Sequence, residues 1–490
     1  MRTMAKEKSL FHNYIFNLLK TACNILFPVV TFTYAARVLG VDGVGKVNFA
    51  KSFISYFTMI ASLGMNYYGT REAAKRRDSK EELSKFSMEM LLINGASTLL
   101  AYVLLAVAML FIPALREYET LLLISSIAIV LQGLGMEWLY QAVEEYRYIA
   151  IRSVLFQIGA LIAMFIFVRE QNDVAPYAFV TLLASSGSYI LNFINARKYI
   201  KLHRSTRYEI GKHLRPLLLL FAMAVSKELY TVLDTTMLGF MKGDTAVGLY
   251  TAAIKIEKMV NTLITAVGVV MIPRLSYYIG NNEHKKTSAL IDKAYNYVFM
   301  FSIPAAVGLF MLSNEIIYLL SGVEFASAAF TMRLLAPIVI LIPFSITTNQ
   351  QILVPMRKDK LILVSTVVGA GVNLVLNSVL IPHYAQNGAA VATVLSEAAV
   401  ATVCLINGNN QFHVGFVFKR YYQYWIAAVE IPIVVFLIKL INVPIISQIA
   451  MAISVSAVLY LLILLLLKNQ YAKEAALLVY KKTLIRGSQE

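Results

Sequence analysis

Residues 36–77 read ARVLGVDGVGKVNFAKSFISYFTMIASLGMNYYGTREAAKRR. The stretch opens on a glycine-rich turn, continues as an apolar segment of about twenty residues and closes on a basic cluster. Its GVDGVGKV, at 40–47, nearly matches G-x-x-x-x-G-K-S/T, the loop that cradles nucleotide phosphates on backbone N–H groups. Where that loop places a magnesium-binding hydroxyl, this chain has Val47. The flanking segments are long and apolar enough to cross a hydrocarbon layer of about 30 Å, unlike the strand and soluble helix of a nucleotide-binding domain. The phosphate-loop reading is therefore rejected. The glycines are read as a tight turn between two membrane helices.

The same kind of apolar run recurs along the whole chain. Hydrophobic residues make up 58% of 490, and the mean hydropathy is +0.66. Fourteen runs of membrane-spanning length lie between residues 13 and 467, which predicts an all-α polytopic membrane protein with fourteen transmembrane helices. Alternating ten-residue segments, the mark of a membrane barrel, are absent from the sequence. The first run is too long and too polar-striped for a cleaved signal, and thirteen more lie beyond it. Cys23 and Cys404 both fall inside runs, so no disulfide framework is expected.

Positive charge orients the spans. With a cytoplasmic N-terminus, 32 of the 44 Lys and Arg fall in cytoplasmic segments, 6 in outer loops and 6 inside spans. That asymmetry predicts an even number of spans with both termini cytoplasmic. It also accounts for the net charge of +16 without nucleic acid, because basic loops face anionic headgroups.

A weak repeat divides the chain. RVLGVDGVGKVNFAKSF resembles TMLGFMKGDTAVGLYTAAIKI: Leu39-Gly40 aligns with Leu238-Gly239, and after a short gap Val44-Gly45 meets Val247-Gly248 and Ala50 meets Ala253. The expected architecture is two six-helix lobes related by a pseudo-two-fold axis along the membrane normal, with two extra helices. The boundaries are 1–212, 213–408 and 409–490. The loops are short, so no soluble catalytic domain is expected.

The basic residues inside spans are Lys20, Lys51, Lys227, Lys255, Lys258 and Arg333. Facing lipid unpaired, they would together cost about 15–20 kcal/mol on the lenient insertion scale. Four of the helices carry a lysine within a polar stripe at helical spacing. Asn17, Lys20 and Asn24 lie on the first; Lys51, Ser55, Thr58 and Ser62 on the second; Lys227 and Asp234 on the seventh; Thr251, Lys255, Lys258 and Thr262 on the eighth. These are the first two helices of each repeat, and the stripes predict a hydrated cationic cavity between the halves. Snorkelling toward the nearer interface is the structural alternative for each lysine. Glu228 adjoins Lys227 in sequence but points about 100° away from it on a helix. Arg333 suits either a lumenal position or an ion pair. Asp234 and Glu397 are the candidates for ion coupling. No catalytic set and no metal motif emerges, and the six histidines are read as scattered, mostly in loops.

The 36–77 stretch, with DTTMLGFMKGDTAVGLYTAAIKIEKMV (234–260), IPRLS (272–276) and NSVLIPHYAQNGAAVATVLSE (377–397), resembles the bacterial polysaccharide-export flippases of the Wzx type. These belong to the multidrug/oligosaccharidyl-lipid/polysaccharide superfamily. The resemblance implies a V-shaped pair of six-helix lobes around a cationic cavity in the bacterial cytoplasmic (inner) membrane. It also implies an undecaprenyl-diphosphate-linked oligosaccharide moved to the outer leaflet by alternating access. On this reading Lys20, Asn24, Lys51, Ser55, Lys227, Lys255, Lys258 and Arg333 bind substrate, with lysine serving as a point-charge phosphate binder. No cofactor is expected beyond proton or sodium coupling, and a monomer suffices, with polysaccharide polymerase machinery as the expected protein partner. The rival readings are a lipid II flippase, a cation-coupled multidrug antiporter and a membrane glycosyltransferase or polymerase. The antiporter relative typically carries a carboxylate on its first span, and 13–37 has none.

Overall fold

The computed structural model describes the backbone of residues 10–201, 208–269, 271–356, 358–412, 421–441 and 443–474. Side chains are described through these ranges except at 10–22, 25, 223–224, 226–227, 229–230, 267–269 and 408–412. Every regular element among the described residues is helical, with no strand. The chain forms two compact units, Met1–Gly248 and Leu249–Glu490.

In the first unit, α1 (Leu10–Ser62) is followed by α2 (Met65–Ala74), α3 (Lys80–Phe111), α4 (Glu119–Leu134) and α5 (Glu137–Ala142). Then come α6 (Tyr146–Phe167), α7 (Val174–Leu182), a π-helical turn (Leu183–Gly187), α8 (Tyr189–Ala196) and α9 (Ile210–Lys242). Helix α10 (Asp244–Val269) crosses into the second unit.

The glycine turn is tighter than the sequence suggests. Helix α1 carries both of the first two expected spans, and its backbone leaves the helical region at Gly40 alone (φ 68°, ψ −173°). Residues 41–47 are already helical. Only glycine adopts that conformation at little cost, because a Cβ would clash with the flanking peptide. The same corner recurs between α9 and α10 at Gly243 (φ 79°, ψ −170°). The second-half counterpart of Gly40 is therefore Gly243 rather than the aligned Gly239, and the repeat needs no gap.

The two corners touch reciprocally. A Cβ on Gly45 would lie 2.0 Å from the Asp244 carbonyl oxygen, and one on Gly248 would lie 2.2 Å from that of Val41. Thr245 donates to Asp42 across the same contact at 2.6 Å. Lys46, the supposed phosphate-loop lysine, instead pairs with Glu117 at 3.5 Å.

Helix α1 is the hub of the first unit. It packs against α3, α4, α6 and α9, and its small residues Ala35, Ala36, Ala50 and Ala61 are almost fully buried. Phe49 fills the space beneath the corner, its ring 4.6 Å from Tyr118 and 5.1 Å from Phe240. The outward faces are hydrocarbon, as with Leu99, Leu110 and Phe111 on α3 and Leu155 and Ile162 on α6. That is the surface lipid tails cover.

The histidines are expected mostly in loops, but His12, His213, His284 and His383 all stand in helices, while His203 and His413 lie outside the described residues. His213 is buried in the first turn of α9, with Tyr68 on one side and Glu89 on the other. A carboxylate can only accept, so His213 Nε2 donates to Glu89 Oε2 (2.8 Å), while Nδ1 is hydrogen-bonded to the Tyr68 hydroxyl (2.6 Å). The Glu209 N–H supplies a second bond to Glu89 at 2.9 Å. The relay ties α9 to α2 and α3. His213→Ala is expected to cost about 2–3 kcal/mol by leaving a buried carboxylate short of a donor, and Tyr68→Phe about 1 kcal/mol. Thermal unfolding of the detergent-solubilised protein reads both.

The second unit contains α11 (Ile272–Gly280), α12 (His284–Met311), α13 (Ser313–Ser321), α14 (Ala328–Leu335) and α15 (Ile338–Ile346). These lead to a π-helical segment (Thr347–Leu353), α16 (Asp359–Phe412), α17 (Tyr422–Ala428), α18 (Glu430–Lys439) and α19 (Ile445–Leu466). Pro337 stands at the break between α14 and α15, where the span bends by 43°. Pro28, Pro304 and Pro343 lie inside helices.

Among the described residues, eight helices are long and apolar enough to cross a membrane, or nine with the bent pair as one span. The expected fourteen is not reached by this criterion. Part of the difference is continuity: α16 runs through two expected spans and turns at Ala385 (φ 47°, ψ −128°). At about 1.5 Å per residue its 54 residues are too long for a single crossing.

Candidate functional site

Six helical segments of the first unit enclose a polar cavity of about 400 Å³. The second arm of α1 supplies Lys51, Ser55, Thr58 and Ser62, the stripe read from the sequence at steps of 4, 3 and 4. Helix α2 adds Tyr67, and α4 adds Ser125 and Gln132. Thr181 comes from α7, Ser185 from the π-helical turn and Glu228 from α9. Ile54, Met59, Ala128 and Leu182 provide apolar wall between the polar groups. A π-turn adds a residue to the helix and so rotates the side chains after it, a device common at functional sites.

Five of the seven hydroxyl groups, those of Ser55, Thr58, Ser62, Thr181 and Ser185, share one orientation. Ser55 donates to the Ser52 carbonyl (2.7 Å), Thr58 to Ile54 (3.1 Å) and Ser62 to Met59 (2.9 Å). Thr181 donates to Ala178 (2.9 Å) and Ser185 to Leu182 (3.2 Å). Each of these five thus spends its proton on its own helix and retains lone pairs to offer a ligand, while Tyr67 and Ser125 keep theirs. Lys51 is exposed to the cavity and makes no hydrogen bond or ion pair among the described residues. Glu228 faces the same space without being its salt-bridge partner.

The other expected site residues fall in different settings. Asn24 accepts from the Gln157 amide of α6 at 2.8 Å. The side chains of Lys20 and Lys227 lie outside the described residues. Lys255 is half-buried and Lys258 exposed on α10, both engaged by neighbours. Arg333 donates to Ser313 at 2.7 Å and forms no ion pair among the described residues. Asp234 and Glu397 are buried, and both are engaged. No three His, Cys, Asp or Glu side chains gather as a metal site would require among the described residues.

Sequence reasoning misses Ser125, Gln132, Thr181, Ser185 and Tyr67. Weak signals are present: Ser125 and Gln132 are seven apart, Thr181 and Ser185 four apart, so each pair shares a helix face. For Glu228 the sequence offers only its position beside Lys227, with nothing to place it opposite Lys51.

A second cavity, in the second unit, is apolar and about 800 Å³. Met300, Pro304 and Gly308 of α12, Ile431 and Val435 of α18, and Ala452 and Tyr460 of α19 line it. Glu257 of α10 is fully buried, and neither of its carboxylate oxygens has a hydrogen-bond partner among the described residues.

The chain matches the polysaccharide biosynthesis protein family over residues 10–279, more than half its length. The chain belongs to that family. The MatE family matches over residues 220–379. A protein of Shigella dysenteriae named "Putative O-antigen transporter" is 24% identical over 397 residues, covering 80% of this chain and 98% of its own. One of the same name in Escherichia coli K12 is 22% identical, covering 82% and 97%. Among solved structures, a lipid II flippase, MurJ, in an inward closed conformation superposes with a TM-score of 0.76 at 17% identity. It covers 93% of this chain and all of its own. An inward-facing MATE multidrug transporter reaches 0.60 at 15% identity, covering 79% and 94%. At these identities the structures speak for the fold, which is that of a multi-pass membrane transporter.

Proposed function

We propose that this polysaccharide biosynthesis family member is a flippase, not an enzyme. It moves undecaprenyl-diphosphate-linked oligosaccharide from the cytoplasmic to the outer leaflet by alternating access, for cell-surface polysaccharide assembly. The observation that carries this reading is the polar cavity around Lys51, which has no partner among the described residues, in a chain whose relatives over nearly their whole length are called O-antigen transporters. A lysine left unpaired inside a membrane protein is costly unless water or a ligand satisfies it.

Lys20, Asn24, Lys51, Ser55, Lys227, Lys255, Lys258 and Arg333 are assigned to the diphosphate and its glycan, and Asp234 and Glu397 to ion coupling. The apolar cavity of the second unit suits a hydrocarbon tail. The division into 1–212, 213–408 and 409–490, cytoplasmic termini in a bacterial inner membrane and a monomeric state complete the reading. The match to MatE over 220–379 favours a cation-coupled exporter as the second reading.

The test is mass spectrometry of the prenyl-linked lipid pool after deletion of the gene. Accumulation of undecaprenyl diphosphate carrying a complete repeat unit is the expected result. Truncated intermediates would point to a missing glycosyltransferase, and an unchanged pool to the exporter.

A further inference from the structure

We infer that the cavity of the first unit is a sugar subsite: it holds the one or two sugar rings next to the diphosphate, and the diphosphate itself binds elsewhere. The inference rests on the flippase reading and divides its substrate between parts of the protein.

Hydrogen-bond polarity is the first argument. Ser55, Thr58, Ser62, Thr181 and Ser185 all direct their protons to backbone carbonyls, so they meet a ligand as acceptors. Glu228, as a carboxylate, is acceptor-only. The donors facing the cavity are the Lys51 ammonium, the Gln132 amide and the hydroxyls of Tyr67 and Ser125, fewer than the acceptors around them. A diphosphate offers acceptors alone and would find these five hydroxyls and Glu228 mismatched. A sugar ring offers an O–H at nearly every carbon, and some rings add an amide N–H, which is the complement of an acceptor-rich wall.

Charge is the second argument. Among the described residues, the charged groups facing the cavity are Lys51 and Glu228, one basic and one acidic, and they form no salt bridge. A diphosphate placed there would gain one cation and meet one carboxylate in a site of low dielectric. A neutral or zwitterionic sugar meets no such repulsion. The apolar surface of Ile54, Met59 and Leu182 suits the C–H face of a ring.

Size is the third. About 400 Å³ lies at the small end of the roughly 300–1,000 Å³ usual for ligand pockets, enough for one or two rings and too little for a long repeat unit. Glu228 is thereby assigned as a specificity-determining residue.

The test measures binding to the full chain in lipid nanodiscs. The probes are undecaprenyl diphosphate and the same lipid bearing a single N-acetylglucosamine or a single galactose. At least one sugar-bearing probe is expected to bind about tenfold tighter than the bare lipid, the worth of one or two well-formed hydrogen bonds. Glu228→Gln is expected to remove most of that gain while leaving bare-lipid affinity equal or higher, since it deletes a repulsive charge. Thr181→Val, close to isosteric, is expected to act in the same direction, and it serves if the glutamate variant does not fold. If Glu228→Gln weakens the bare lipid as much as the sugar-bearing ones, the cavity holds the diphosphate and the inference falls. It also falls if wild-type protein binds all three probes equally. Binding of none of them would sink the flippase reading itself.

Discussion

Export is expected to fall by about 10–100-fold when Lys51 is replaced by alanine, the effect of deleting a charged hydrogen-bond donor from a substrate contact. Lys51 has no structural partner among the described residues to lose, so folding should survive the change. The measurement is the level of lipid-linked repeat units in cells whose only copy is the variant, set beside the glycan reaching the surface. Lys51→Arg keeps the charge but replaces a compact ammonium with a planar fork, and intermediate export is expected. Lys46→Ala is the control, because its exposed pair with Glu117 contributes at most about 1 kcal/mol. Full export by Lys51→Ala would remove the cavity from the transport path.

The largest loss of stability is expected at the paired glycine corners. Gly45→Ala puts a methyl 2.0 Å from a backbone oxygen, and Gly248→Ala puts one at 2.2 Å. A backbone carbonyl cannot rotate away as a side chain can, so the corners must separate. Each substitution is expected to cost about 3 kcal/mol, the upper part of the usual overpacking range. Because the two contacts are reciprocal, the double variant should cost less than the sum: once the corners part, the second methyl meets less resistance. Gly95→Ala on α3, where a Cβ would meet nothing within 4 Å, should be neutral or slightly stabilising. Thermal unfolding of the purified variants decides. Strictly additive losses would mean that the corners do not move as one contact.

Both experiments act on residues that were partly legible in the sequence. Lys51, Ser55, Thr58 and Ser62 share a stripe because a helix repeats every 3.6 residues, and that period is a local property of the chain. For the same reason the helical class, the apolar spans and the basic flanks of residues 71–77 could be read directly. The turn near Gly40 was legible too, since glycine marks places where the backbone leaves the common regions.

The tertiary structure decided the matters that depend on residues distant in sequence. It matched Gly40 with Gly243 by a shared backbone conformation, where alignment by letters had chosen Gly239. It placed His213 between Tyr68 and Glu89, on two helices whose sequence separation from it is 145 and 124 residues. It brought Ser125, Thr181 and Glu228 to the cavity of Lys51, turning one striped helix into an enclosed site. Hydroxyls on α4 and α7 could equally have faced neighbouring helices or lipid headgroups, because periodicity says which residues share a face and nothing about what that face meets. By itself the sequence determined the helices, their hydrocarbon-facing surfaces and the polar stripes they carry. Which stripes close upon one another, and which hydroxyl protons remain for a ligand, depended on packing between segments far apart in the chain.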